Sequence, residues 1–67
     1  MQTNKIYAIN GPVIKVSNTS SFKMLEMVYV GPQQLMGEVI QIKKNETIIQ
    51  VYEDTAGLKL GDPVYPT

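Results

Sequence analysis

An all-β fold, either a small β-sandwich or a barrel, is what this sequence predicts. Turn-forming clusters recur at roughly 8–12-residue spacing, and the segments between them are short and rich in β-branched and aromatic residues. The clusters are Asn10-Gly11-Pro12, the polar run Ser17-Asn18-Thr19-Ser20-Ser21, Gly31-Pro32, Lys43-Lys44-Asn45-Glu46, Thr55-Ala56-Gly57 and Gly61-Asp62-Pro63. At 67 residues the chain is one small domain, with no internal repeat and no linker. A chain of this size buries only about 60% of the surface its unfolded form exposes, so its stability margin is thin.

Taken in order, Ile6–Ile9 is the first strand. Pro12 then opens Val13–Val16, at a position where a missing N–H matters least. The stretch FKMLEMVYV is ambiguous, because Met and Leu favour helix. The VYV ending before Gly31-Pro32 favours a strand, and the reading taken is a strand over Leu25–Val30 after an irregular lead-in. Leu35–Ile42 and Thr47–Tyr52 flank a polar turn at Lys43–Glu46 and read as a hairpin. Their apolar residues fall on both alternating sets: Ile40 and Ile42 against Val39, then Ile49 and Val51 against Ile48 and Tyr52. A strand wet on one face alternates more cleanly, so part of the outer face is expected to be covered by another partner. Asp54-Thr55-Ala56-Gly57 ends this strand, and Gly57 is expected to hold a positive φ that a Cβ would strain. Pro63 opens the last strand, Pro63–Tyr65.

Composition excludes several kinds of chemistry. There is no cysteine and no histidine, which removes disulfides, thiolate zinc sites and imidazole ligands. Six lysines balance six acids and arginine is absent, whereas a nucleic-acid module carries a basic face. No apolar run approaches the roughly 18 residues that span a bilayer, and Met1-Gln2-Thr3-Asn4-Lys5 leads into no apolar signal core. The expectation is a cytoplasmic domain with no direct membrane contact.

The chain carries no constellation that reads as a catalytic, cofactor-binding or metal site. A phosphate loop needs glycines, a lysine and a Ser/Thr at fixed spacing. The nearest piece, Gly57-Leu58-Lys59-Leu60-Gly61, is followed by Asp62-Pro63 and reads as a turn. Glu53 and Asp54 are neighbours that would point to opposite faces of a strand, and Asp54 suits turn chemistry, its carboxylate accepting nearby backbone N–H groups. Glu38 reads as a solvated or interface carboxylate. Ser17, Ser20 and Ser21 have no histidine to activate them. Tyr7, Tyr29, Tyr52 and Tyr65, without a basic groove, read as core or interface aromatics rather than base-stacking platforms.

The closing stretch IIQVYEDTAGLKLGDPVYPT resembles the first domain of the catalytic A subunit of V-type and archaeal A-type rotary ATPases. In that family the region reads as a Gln-Val-Tyr-Glu strand, then Thr-Ala/Ser-Gly, then Gly-Asp/Glu-Pro-Val. Upstream, INGPVIKV is similar to the family's Ser-Gly-Pro-Val opening strand, and VYVG…LMGEVIQI to its Val-Gly…Leu-x-Gly-Glu-Ile/Val-Ile strand. The resemblance covers Lys5 to Val64. The run from Gln50-Val51-Tyr52-Glu53 to Gly61-Asp62-Pro63-Val64 separates the A subunit from the B subunit and from the F-type chains. Asn10 stands where the family usually has serine. The arginines common near Tyr29, Gln41 and Pro66 are absent, and with them the polar contacts they would make.

The resemblance implies a small closed six-stranded β-barrel. It also implies a collar role: barrels of neighbouring A and B subunits crown a hexameric head, while ATP and Mg bind in a later domain that carries the phosphate loop. Residues 1–67 would then be the N-terminal collar domain of a longer polypeptide, not itself an enzyme, and monomeric in isolation. The chain stops where the family continues, as an excised domain or a fragment would. Two alternatives stand beside this: a stand-alone small barrel that binds proteins, and a nucleic-acid-binding barrel, which the missing basic residues disfavour.

Overall fold

The β-branched runs between the turn clusters all form strands in the computed structural model, which describes residues 4–17 and 22–66. They are β1 (Asn4–Asn10), β2 (Val13–Val16), β3 (Met27–Val30), β4 (Leu35–Ile42), β5 (Thr47–Val51) and β6 (Pro63–Pro66). Every pairing is antiparallel, and the sheet closes on itself in the order β1-β2-β5-β4-β3-β6. This is a closed six-stranded barrel, and the described residues include no helix. Of the polar run read as a turn at Ser17–Ser21, residues 18–21 lie outside the described residues.

Strand alternation sorts side chains between the interior and the outer wall. Ile6, Ile14, Val16, Val28, Val30, Val39, Ile49, Val51 and Val64 are buried and fill the barrel, with Leu35 and Phe22. A small barrel has room only for side chains, often small facing large. Gly37 shows how tight the fit is: a Cβ there would lie 3.0 Å from Ile49 Cγ2 and 3.1 Å from the Gln50 carbonyl oxygen.

The turns do much of the closing. Asn10-Gly11-Pro12-Val13 joins β1 to β2 with Asn10 opposite Val13 and φ of +60° at Gly11. That places glycine at the first central position of a type II′ turn, which matches the twist of a hairpin. Strands β1, β5 and β3 run one way and β2, β4 and β6 the other, so the segment 52–62 leaves and re-enters at one end of the barrel. It lies across that end, with Thr55 Oγ1 donating to the Gly11 carbonyl (2.8 Å) and the partly buried Leu58 packed on the core.

Two expectations need correction. The first concerns Leu25, which is not in β3. It occupies a Lys23–Glu26 turn with φ of +66°, closed by a bond from the Glu26 amide to the Lys23 carbonyl (3.1 Å). Leu25 donates its amide to the Val39 carbonyl (2.8 Å), while the Val39 amide donates to the Glu26 carbonyl (2.9 Å). Two residues thus oppose one, a bulge whose first residue is usually glycine.

Gly57 is the second. Its φ is not positive and a Cβ there would meet nothing within 4 Å; the positive-φ glycines are Gly11, Gly31 and Gly61. The surplus of apolar residues on β4 and β5 is partly absorbed by the barrel itself, and Met36, Ile40 and Tyr52 remain on the outer face. A bulge between Val39 and Gln41 turns Ile40 outward, and Ile48, on the outer set, is buried where register places it between Lys15 and Gln41. Long stems of such residues cover apolar surface while their polar ends stay wet.

Candidate functional site

Outward positions on four adjacent strands meet in one row. Tyr29 of β3 pairs with Tyr65 of β6 on one side and with Met36 of β4 on the other. Tyr52, directly after β5, donates its amide to the Met36 carbonyl (2.9 Å) and extends the row. The side chains are 42% (Tyr65), 38% (Tyr29), 40% (Met36) and 54% (Tyr52) exposed, so the tyrosines are wall residues and not core. Large apolar side chains side by side on a wall, rather than scattered, are what a contact surface requires. Ile40 and Leu25 extend the same wall toward the other end of the barrel.

Two carboxylates border this band. Glu38 accepts a hydrogen bond from the Tyr52 hydroxyl, and Glu53 Oε2 accepts from the Met36 amide at 3.0 Å. The bond to Glu38 pushes the Tyr52 hydroxyl above its ordinary range, with burial and the nearby charge adding to it.

The opposite wall is of another kind. Tyr7 of β1 donates to Glu46 Oε1, and Lys43 Nζ lies 3.5 Å from Glu46 Oε2. Glu46 is held below the usual carboxylate range chiefly by the Tyr7 hydroxyl, with Lys15 and Lys43 contributing. Lys5 and Lys15 stand on β1 and β2 of this wall.

The segment 57–62 that came nearest to a phosphate loop is a pair of turns. The Leu58 amide donates to the Thr55 carbonyl (2.9 Å) and the Asp62 amide to the Lys59 carbonyl (3.0 Å). The Lys59 amide donates to Asp62 Oδ2 (2.8 Å) and the Gly61 amide to the Ile6 carbonyl (2.7 Å). Amides spent inside the chain do not point at an anion. Asp54 caps its own turn, accepting from the Ala56 amide at 2.9 Å, while Glu53 faces β4, so these neighbouring acids serve separate partners. No group of three or more His, Cys, Asp or Glu side chains that could hold a metal ion occurs among the described residues. Nor is any helix among them long and apolar enough to cross a membrane.

The sequence places the tyrosines at an interface or in the core but does not assemble the band. Its only signal was the two-residue spacing of Met27 and Tyr29 before Gly31-Pro32 and of Met36 and Glu38 after it. The contributions of Tyr65 and Tyr52 depend on barrel closure, which no local pattern encodes.

The chain matches a family model described as ATP synthase alpha/beta family, beta-barrel domain, over residues 6–67. It is 54% identical over 63 residues to the A subunit of the A-type ATP synthase of Methanosarcina barkeri, covering 94% of this chain and 11% of that one. It is 49% identical over 65 residues to the corresponding A-type ATP synthase chain of Staphylothermus marinus, covering 97% of this chain and 11% of the relative. Against the catalytic A subunit of the V-type proton ATPase of Neurospora crassa it is 48% identical over 67 residues, covering 100% of this chain and 11% of that protein. The chain therefore spans about a ninth of the length of these relatives. Among solved structures, the assembled ATPase EscN of the enteropathogenic E. coli type III secretion system aligns with a TM-score of 0.85. The sequences are 25% identical, over 96% of this chain and 15% of EscN.

Proposed function

Because the chain belongs to the ATP synthase alpha/beta family, as its β-barrel domain, we propose that it is an assembly domain. It forms the collar of the catalytic A subunit of a V-type or A-type ATPase and ties it to neighbouring A and B subunits in a hexameric head. The parent enzyme couples ATP hydrolysis or synthesis to proton or sodium transport. Nucleotide and Mg bind elsewhere in the parent polypeptide, and this domain performs no chemistry of its own. It works on the cytoplasmic side of a membrane-associated complex, without touching the bilayer.

The observation that carries this reading is the Tyr65–Tyr29–Met36–Tyr52 row, an exposed apolar band on a barrel whose turns use their own backbone donors. A barrel this small offers each neighbour less than the roughly 800 Å² per partner of a stable pairwise interface. Tethering resolves the shortfall. Each barrel is covalently attached to its own subunit, so weak contacts act at high effective concentration and close the ring.

Calorimetric titration with Mg-ATP tests the division of labour. The isolated chain should give no saturable heat, and the parent subunit lacking residues 1–67 should bind as the intact one does. Saturable micromolar binding by the isolated chain contradicts the proposal.

A further inference from the structure

We infer that Asn10 is a self-modification site, where the Gly11 amide attacks the Asn10 side chain, and that the Thr55 hydroxyl holds this reaction in check. Conversion to isoaspartate then unties the segment that closes one end of the barrel.

The chemistry needs an asparagine followed by a residue without a side chain, because a Cβ crowds the five-membered ring that forms. Asn10-Gly11 supplies that pair. Both residues are exposed, and a Cβ on Gly11 would meet nothing within 4 Å, so the ring has room. The strands pair Asn10 with Val13, so the ladder's bonds fall on those two residues and leave the Gly11 amide outside them. The Gly11 nitrogen bonds to Asn10 Cγ, the Cγ–Nδ2 bond breaks, and ammonia leaves carrying the proton from Gly11. Water then opens the succinimide, chiefly to isoaspartate. The sum is an exchange of ammonia for water, with no oxidant or reductant.

The fold controls the rate. Asn10 is the last residue of β1, and an extended residue turns the following nitrogen away from its own Cγ. Attack requires rotation about the Asn10 Cα–C bond, which swings the peptide plane between residues 10 and 11. Two bonds oppose that swing. Thr55 Oγ1 donates to the Gly11 carbonyl and the Val51 amide to the Pro12 carbonyl, each at 2.8 Å. The Thr55 bond lies nearer the rotating plane, and it comes from a side chain.

Isoaspartate routes the main chain through the side-chain carbon and so adds a methylene between residues 10 and 11. The Gly11 and Pro12 carbonyls then leave the positions that Thr55 and Val51 reach. Segment 52–62 loses its tie to the β1–β2 turn, and it begins with Tyr52 and Glu53, which reach Met36 in the exposed row. One carboxylate is also gained, in a chain whose six lysines and six acids otherwise balance.

The test incubates the 67-residue chain at mildly alkaline pH and follows Asn10 by peptide mass spectrometry, with isoaspartyl methyltransferase labelling of the product. The folded parent should convert at Asn10, more slowly than the same chain unfolded in urea. Thr55→Val should convert roughly two- to tenfold faster, the factor that one exposed hydrogen bond carries in a local opening. Thr55→Ser, which keeps the hydroxyl, should convert at the parent rate. Exchange of the Val51 amide should quicken in the purified isoaspartate form and stay slow in Asn10→Asp, which gains the charge without the methylene. No conversion at Asn10 under conditions that convert the unfolded chain overturns the inference. Equal rates in the parent and Thr55→Val, a serine variant as fast as the valine one, or unchanged Val51 exchange in the isoaspartate form overturn it as well.

Discussion

The Leu58 side chain occupies the place where a Cβ on Gly31 would lie: its Cδ2 is 2.6 Å from that point, and Gly31 has φ of +76°. The β5–β6 segment is thus keyed onto the start of the β3–β4 turn. Gly31→Ala should destabilise the domain by about 1–3 kcal/mol, through left-handed strain and displacement of Leu58. Gly57→Ala, in open space without positive φ, should stay within about 0.5 kcal/mol of the parent. Urea unfolding of the two variants checks the contrast, and equal losses would contradict it.

That contrast marks what local sequence encodes. Strands Val13–Val16 and Leu35–Ile42 have the expected bounds, and β5 and β6 end within one residue of expectation. β-Branched runs bounded by Gly, Pro and Asn leave the backbone few alternatives there. Which glycine takes positive φ is less legible, because turn composition is shared by several turn types. Leu25 carried no signal at all, since leucine is seldom found in the left-handed region. The neighbours β2–β5 and β3–β6 are far apart in the chain, and the band that spans β6, β3 and β4 depends on that closure. The closed barrel was anticipated from the family resemblance, whereas strand spacing left a sandwich equally open.

Leu25→Gly should stabilise the isolated chain. Relief of left-handed strain, roughly 1–2 kcal/mol, outweighs the roughly 0.5–1 kcal/mol cost of glycine's freedom in the unfolded chain. The expected gain is about 0.5–1 kcal/mol by thermal or urea unfolding. The same change should weaken the assembled head if the side chain makes an intersubunit contact. A loss of stability in the isolated chain would show that Leu25 is held by internal packing instead.

The Tyr7–Glu46 pair predicts a pH profile. Glu46 is lowered from its ordinary 4.5, mainly by the Tyr7 hydroxyl, so its contribution is present above that value and lost as pH falls through the lowered pKa. Tyr7 is raised from its ordinary 10.0, mainly by the bond to Glu46, so its contribution is present below 10 and lost as pH rises through the raised pKa. Tyr7→Phe should raise the titration midpoint of the Glu46 carboxyl carbon in NMR spectra. It should also shrink the alkaline loss of stability without abolishing it, because Tyr52, raised by its bond to Glu38, titrates in the same direction. An unchanged Glu46 midpoint would mean that the pair does not form in solution.

The central claim is that this barrel holds a multi-subunit head together and leaves the chemistry to the rest of its polypeptide. Native mass spectrometry of a head reconstituted from parent subunits lacking residues 1–67 tests it most directly. Dissociated subunits or small partial assemblies are expected, at concentrations where intact subunits give the hexamer, with nucleotide binding retained. A stable closed hexamer without this domain would contradict it.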